Sequence, residues 1–526
     1  ILYTIFFSRF VILDLLKRIV VVGVIFSIVI FIIKQVINDI MNITILDCYT
    51  DEASGLGVPP YLGTYPRYLY GKFVSEKNKV TYLTIDDLRL WKQLKNVKKE
   101  TELHQKTNIF VHNLTKNSAE EVLGKTDLLV VVLGVHVPGK YLTAMPGTLK
   151  EVIPMLKDVK CEKILTGPAV FGTQLEGGKF AEKMDLSLFT ETKDYNFSFN
   201  ELENFSNVSA EILKQIPDKR VIEIETSRGC KFGKCSFCTE AMKCKFVNRK
   251  MEDVLDEIVA YYEKGARHFR IGKQADFYAI DRPVELLEKI NKKCPKIEVL
   301  HIDNVNPNSV VSKDGEVITK AIVKYCTSGN IAAFGIESFD EDVVKANRMN
   351  TTPAVAMKAI EIINKYGAVR GENGMPAFLP GLNLIFGLLG ERKTTHQTNM
   401  EALQKIFDSG LMLRRINLRQ VVVMPGTYLE EHGGNKFLRK NKKYYWKWRN
   451  EIRQKIDLPM LQRVVPVGTI LKEVYTEIYD GKTTFCRQMG TYPLIIGVKG
   501  RIPLNKKIKV KIVSHMLRSL VGEVVE

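Results

Sequence analysis

Cys230, Cys235 and Cys238 fall within nine residues of one another in the stretch VIEIETSRGCKFGKCSFCTE. Thiolates are soft ligands that select zinc, Cu(I) or iron–sulfur. Gly229 and Gly233, before and between them, allow one small loop to wrap one inorganic centre. A structural zinc site closes with a fourth ligand, and a plain electron-transfer cluster takes four Cys. Three ligands leave one iron open for chemistry. Cys244, six residues on, is the residue that would complete a zinc knuckle, so zinc stands as the alternative. Phe237, just before the last Cys, is placed to shield the centre from water.

Such a loop needs a rigid base. It directly follows Val221-Ile222-Glu223-Ile224, an alternating run that reads as a strand. After it comes a helical pattern, MEDVLDEIVAYYEKG, closed by Gly265 as a C-cap. Further strands are expected at His268–Gly272, Glu298–Ile302, Ala332–Ile336, Leu382–Phe386 and Arg415–Val423. Residues 218–430 therefore read as six strand–helix units. Upstream, residues 41–200 also alternate, with strands at Ile43–Asp47, Val80–Ile85, Leu128–Leu133 and Lys163–Thr166. That pattern predicts a parallel α/β sheet, a Rossmann-like domain. Its strand ends carry GLGVPPYLGTYPRY (55–68) and GVHVPGKYL (134–142), which either line a crevice or are ordinary turns.

The cysteine loop resembles the cluster loop of the radical S-adenosylmethionine (SAM) superfamily, whose usual spacing is C-x3-C-x2-C; here the first gap is four residues. The resemblance implies a partial (β/α)6 barrel with its chemistry at the carboxyl ends of the strands. It also implies a [4Fe–4S] cluster on Cys230, Cys235 and Cys238, with SAM on the open iron. An electron from a donor such as ferredoxin or flavodoxin then yields methionine and a 5′-deoxyadenosyl radical. By the same resemblance Gly272 faces the amino group of SAM, and Glu337 and Ser338 its ribose or carboxylate. Gly387, in LPGLNLIFGLLGER, belongs to the segment against adenine, with Gly390 and Glu391 matching the family pattern beside it. No catalytic side chain is assigned.

Two further matches point to nucleic acid. Asn347-Arg348 matches an N-R pair of RNA-modifying members, and Met424-Pro425-Gly426-Thr427 resembles the P-G-T turn of tRNA methylthiotransferases. Methylthiotransferase chemistry itself needs three N-terminal cysteines, where this chain offers Cys48 and Cys161. Some members bind cobalamin through D-x-H-x-x-G after the first strand. Asp47-Cys48-Tyr49-Thr50 has no His, and Gly134 through Gly139, with His136, lacks the Asp, which makes cobalamin doubtful. His136 reads as structural or substrate-facing.

Residues 436–455, KFLRKNKKYYWKWRNEIRQK, hold nine Lys/Arg against one Glu, with Tyr444, Tyr445, Trp446 and Trp448 interleaved. Cations neutralise phosphates and flat rings stack on bases. The segment 436–463 reads as a basic aromatic linker helix; a solvated helix with its rings packed on the barrel is the alternative. Residues 464–526 read as short strands resembling the TRAM domain, a small RNA-binding β-barrel, with Phe485-Cys486-Arg487 at its F-G-R-like centre. Lys442, Lys443, Trp446, Trp448 and Arg487 are the expected RNA contacts. From Met41 onward the chain resembles uncharacterised archaeal radical SAM proteins, related to tRNA methylthiotransferases, that begin with DGYTDEPAGLGVPPYLG-like sequence. That group has a longer insertion between its first two cluster cysteines and often a C-terminal helix–hairpin–helix.

Net charge is +18, which favours a polyanionic partner. The nine Cys show no disulfide framework, and an oxygen-sensitive cluster fits a reducing cytoplasm. Residues 19–33 form an uncharged run of 15 between Arg18 and Lys34, shorter than the ~20 residues of a spanning helix. Residues 1–40 read as upstream sequence ahead of a start at Met41, or else as a membrane anchor. The expected function is radical SAM modification of RNA, tRNA in particular. The alternatives are a radical SAM enzyme acting on a small molecule or peptide, with the C-terminal barrel structural, and an RNA-binding zinc protein.

Overall fold

The computed structural model describes residues 40–49, 61–93, 115–134, 146–171, 173–174, 182–183, 185–217, 221–243 and 245–525. Residues 1–39, the first loop over 55–60, His136 and Cys244 lie outside them. Among the described residues no helix is long and apolar enough to cross a membrane.

The N-terminal strands β1 (Asn42–Asp47), β3 (Lys79–Thr84), β4 (Leu128–Val132), β5 (Glu162–Thr166) and β6 (Glu191–Thr192) form a parallel sheet. Its order is β3-β1-β4-β5-β6. β1 and β4 are buried along nearly their whole length because both faces are covered. Between β1 and β3 the chain contributes Tyr61–Leu62 (β2) to a different sheet, pairing it parallel with Val221–Ile222. This strand is too short to show a period, and the sequence pattern missed it.

The central barrel has two parallel sheets. One is β2, β7 (Val221–Glu225), β8 (His268–Gly272) and β9 (Val299–Ile302). The other is β10 (Asn330–Glu337), β11 (Phe378–Phe386) and β12 (Arg415–Gln420). A bridge between Val305 and Phe334 joins them. Outward-facing Ile222, Ile224, Phe269, Ile271, Leu382, Leu384, Ile416 and Leu418 pack into the main core with the surrounding helices. Inward-facing positions are polar instead: Glu223, Arg270, Asn383, Arg415 and Asn417.

β7, which feeds the cysteine loop, is braced by buried arginines. Arg67 reaches the Glu223 carbonyl and pairs with Glu257 at 2.5 Å, while Arg249 pairs with the other oxygen of Glu257 and reaches the Glu225 carbonyl. All three side chains are fully buried. The carboxylate is thus shared between two guanidinium groups, the arrangement that makes a buried charge tolerable.

Helix α1 (Lys436–Ile452) lies against the second sheet. Leu438, Asn441, Tyr445, Trp448 and Ile452 recur at helical spacing and form its inner face. Beyond it, β13 (Ile470–Asp480), β14 (Thr483–Gln488), β15 (Leu494–Lys499), β16 (Lys507–His515) and β17 (Leu520–Val525) close a small barrel, order β13-β14-β15-β17-β16. Leu471, Val474, Cys486, Leu494, Ile496, Val498, Val510, Ile512 and Leu520 fill it.

Candidate active site

The three cysteines stand at the carboxyl end of β7, on a loop clamped at its base by antiparallel pairing of Ser227 with Asn248 and Arg228 with Val247. Gly229 (φ 71°) and Gly233 (φ 59°) take left-handed conformations that a side chain would strain. The Cys235 thiol is pushed up to about 12 by burial and then by the neighbouring Cys238 and Cys230. A thiol whose ionisation both neighbouring thiols oppose calls for a cationic centre beside it. That chemistry fits the iron–sulfur group expected of the loop. Cys244, the fourth ligand of the zinc alternative, lies outside the described residues.

The loop is held from above by Asn347. Its carbonyl accepts the Ser236 N–H at 2.9 Å, and its side-chain oxygen accepts the Ser236 hydroxyl at 2.6 Å. The same oxygen accepts the Leu389 N–H at 3.2 Å, and the Asn347 amide donates to the Leu389 carbonyl at 2.9 Å. The Leu429 N–H donates to Ser236 O at 2.8 Å. One fully buried side chain therefore ties the cysteine loop to the turn after β11. Its neighbour Arg348 stacks on the Tyr428 ring at 3.4 Å. Sequence reading noted the N-R pair for RNA; its geometry here is a brace. Phe237 packs beside Leu388, Leu389 and Leu429, an apolar patch under the loop.

The expected SAM-facing residues divide. Gly272 ends β8, and a Cβ there would fall 1.9 Å from Glu223 Oε1, so only glycine admits the carboxylate beneath it. Glu337 ends β10 beside a β-bulge, at φ 61°. Burial pushes its carboxyl up to about 8, and its Oε2 is buried with no hydrogen-bond partner among the described residues. Glu337 also acts on the Cys235 thiol, which places it near the cysteine loop. An orphaned acceptor is what ribose hydroxyls would satisfy.

Ser338 does not join it. It is 2% exposed, and its hydroxyl accepts the Asp340 N–H at 3.1 Å, so a SAM contact through this hydroxyl is corrected to a local turn. Gly387 (φ 95°) lies against Leu438 of α1, where a Cβ would meet backbone at 3.1 Å. Its N–H donates to Glu391 at 2.7 Å, and the Asn441 amide donates to the other Glu391 oxygen at 2.7 Å. Gly387 thus serves the docking of α1 at the site's wall.

The expected RNA residues also divide. Trp446 is 67% exposed, whereas Trp448 is 6% exposed, stacked on His396 at 5.0 Å and packed on Phe386. Two residues apart on a helix face opposite ways, so Trp448 is corrected to core. Arg487, 7% exposed, pairs with Glu477 at 2.8 Å and is likewise corrected. Lys442 and Lys443 are exposed on the same side as Trp446. Burial in the small barrel pushes the Cys486 thiol up to about 12, which keeps it protonated and inert.

The barrel interior is closed below by the hairpin Met489–Pro493 of the small barrel. The Thr491 N–H donates to His301 Nδ1 at 3.0 Å, and the Tyr492 hydroxyl donates to Asp303 at 2.8 Å. A separate cavity of about 860 Å³ flanks the cysteine loop, lined among others by Cys230, Phe232, Asp276 and Asn306.

This arrangement can be set against known proteins. Residues 224–391 match the model of the Radical SAM superfamily, a span that runs from the strand before the cysteines to the Glu391 turn. Along nearly the whole chain it is 39% identical to "Uncharacterized protein MJ0274" of Methanocaldococcus jannaschii, covering 97% of both chains. It is 38% identical to an "Uncharacterized protein" of Archaeoglobus fulgidus over 91% of this chain and 89% of that one. The chain belongs to this archaeal family of radical SAM enzymes. Among solved structures it is similar to the radical SAM methyltransferase TsrM from Kitasatospora setae, at 12% identity, TM-score 0.46, covering 74% of this chain and 76% of that one. It is also similar to the cobalamin-dependent SAM radical enzyme OxsB, at 13% identity and TM-score 0.46, covering 78% and 56%.

Membership settles the cofactors. A radical SAM enzyme carries a [4Fe–4S] cluster and SAM, which together supply one-electron cleavage of the sulfonium and a carbon radical. Cys230, Cys235 and Cys238, inside the matched span, are the residues that would hold the cluster. The chain fixes the cysteine loop through Asn347 and packs Phe237 on its apolar side, and Glu337, with its orphaned oxygen, is the residue that would accept from SAM.

Proposed function

We propose that this radical SAM enzyme modifies RNA, with tRNA as its substrate and a ferredoxin or flavodoxin as its electron donor. The observation that carries the reading is the outer face of α1. Lys436, Arg439, Lys440, Lys442, Lys443, Trp446 and Lys447 are all exposed there, around one flat ring. The inner face of the same helix reaches the site's wall through Asn441 and Glu391. A backbone bound along the cations would therefore pass the barrel mouth, with Trp446 stacking an unpaired base. The small barrel, read as TRAM-like, adds exposed Lys482, Lys506, Lys507, Lys509 and Lys511 to the positive surface. Mass spectrometry of tRNA nucleosides from a deletion strain tests this directly: one modified nucleoside should vanish and return on complementation. An unchanged nucleoside profile, with tRNA affinity insensitive to Lys442→Glu/Lys443→Glu, would reject RNA.

A small-molecule substrate is the second reading. It is favoured by the burial of Trp448 and Arg487, which removes two of the expected RNA contacts.

A further inference from the structure

Inside the central barrel two guanidinium groups face the hollow, and among the described residues neither is in ion-pair contact with a carboxylate, although Asp303 and Glu337 lie nearby. The inner side of β12 presents Arg415, Asn417 and Arg419, since Ile416 and Leu418 point out into the core. Register fixes their neighbours. Arg415 stands level with Gly381 and Ala333, and Asn417 with Asn383 and Gly335. Arg419 stands level with Ile385, near Glu337 at the rim. The small residues beside Arg415 leave room, and Gly335 is exposed.

The two acids deeper in the barrel are already engaged. Arg270 pairs with Glu223 at 2.8 Å and with Asp303. Among the described residues no carboxylate lies within 4 Å of Arg415 or Arg419. Arg415 instead lies over the Tyr492 ring at 4.2 Å, and Tyr492 is held by Asp303 and by Arg414, which donates to its carbonyl at 2.9 Å. Burial lowers the Arg415 guanidinium; Tyr492 and Asp303 partly offset this, and Arg419 adds to it. Arg415 is half-buried and Arg419 exposed at the rim, and like charges brought together at the mouth of a hollow are tolerated when an anion completes them. The Asn417 amide donates to Asn383 Oδ1 at 3.0 Å, which aligns the two amides on the same wall.

We propose that this wall is a binding site for an anionic group of the substrate, a carboxylate or a phosphate, gripped by Arg415 and Arg419 with Asn383 and Asn417 beside them. Guanidinium groups suit either oxyanion because their planar donors bind two oxygens at once. Tyr492 is the positioning residue: it sets the depth of Arg415 and so makes the small barrel part of the substrate pocket. The inference rests on the radical SAM assignment and is independent of the RNA reading.

The test uses the reconstituted full chain and two probes, inorganic phosphate and succinate, each titrated calorimetrically with and without SAM. One site per chain should take up at least one probe, and Arg415→Gln and Arg419→Gln should each weaken it by about tenfold or more. The exposed Lys358→Gln control should not change it. Tyr492→Leu should weaken the probe while Tyr492→Phe, which keeps the ring under Arg415, should restore most of it. Phosphate bound more tightly than succinate assigns a phosphate, and the reverse a carboxylate. The proposal is overturned if neither probe binds, or if Arg419→Gln binds as the parent does. A SAM affinity that falls along with the probe would give the arginines to SAM instead and overturn it too. Loss of tRNA affinity in none of these variants keeps its failure separate from that of the RNA reading.

Discussion

The two barrels of this chain invert one another. The small C-terminal barrel turns Leu471, Val474, Ile496, Val510 and Ile512 inward and closes on them. The central barrel turns its aliphatic residues outward to the helices and keeps Glu223, Arg270, Asp303, Arg415 and Arg419 on the inside. Apolar burial drives folding, whereas charge in a hollow costs desolvation and needs pairing. The inner surface of the small barrel is therefore explained by stability alone, and that of the central barrel is not. They meet where Tyr492 enters the larger barrel and bonds Asp303.

The most decisive way to break the contrast is at the cysteine loop. Cys230→Ala should prevent retention of the cluster and abolish formation of 5′-deoxyadenosine from SAM. Iron content and chromatography of the reaction check it, and retained cleavage would falsify the assignment of the loop. Next comes the charge within the barrel. Arg270→Met leaves Glu223 and Asp303 buried without their cation, and should cost about 3–5 kcal/mol in denaturant unfolding. In the small barrel Ile496→Val removes one methylene from an aliphatic cluster and should cost only about 0.5–1.5 kcal/mol. Equal losses would mean that the inner charges are no more critical than ordinary packing.

A third test separates the two faces of α1. Trp448→Ala opens a hole against Phe386 and His396 and should destabilise by about 3–5 kcal/mol. Trp446→Ala should leave unfolding unchanged and weaken tRNA binding by about 1–3 kcal/mol. If Trp446→Ala binds tRNA as the parent does, the RNA reading loses its main contact.

Much of the central barrel was readable because its strands carry their own signal. His268–Gly272 appears where the pattern placed it, and β7, β9, β10, β11 and β12 differ only in their ends. The thiol trio was equally local. Tyr61–Leu62 was missed because two residues show no period, and its partner Val221 lies far along the chain. The opposed faces of Trp446 and Trp448 were present in the spacing: Leu438, Asn441, Tyr445, Trp448 and Ile452 step by three and four. Arg487 was not readable, since its burial depends on Glu477 and on how the small barrel docks. The polar inner wall was visible as alternation in RINLRQ, but which side faced a hollow depends on the closure of the whole sheet.

The smallest predicted effect lies at the seam between the barrels and depends on pH. Glu298, just before β9, accepts from His268 Nε2 at 2.9 Å and pairs with Lys507 of the small barrel at 2.9 Å. The His268 hydrogen bond, and then Lys507, hold its carboxyl down at about 2 against opposing burial. An unfolded glutamate titrates at about 4.3. The folded state thus binds the proton less readily, so Glu298 adds stability in full above about pH 5 and loses it progressively as pH falls towards 2. The group is about one-third exposed, and solvent screening limits the contribution to about 1 kcal/mol or less. Glu298→Gln should therefore unfold slightly earlier than the parent at pH 7, with the difference shrinking as pH is lowered through 4 to 3. A difference that stays constant over that range would show that His268 and Lys507 gain packing from Glu298, not charge.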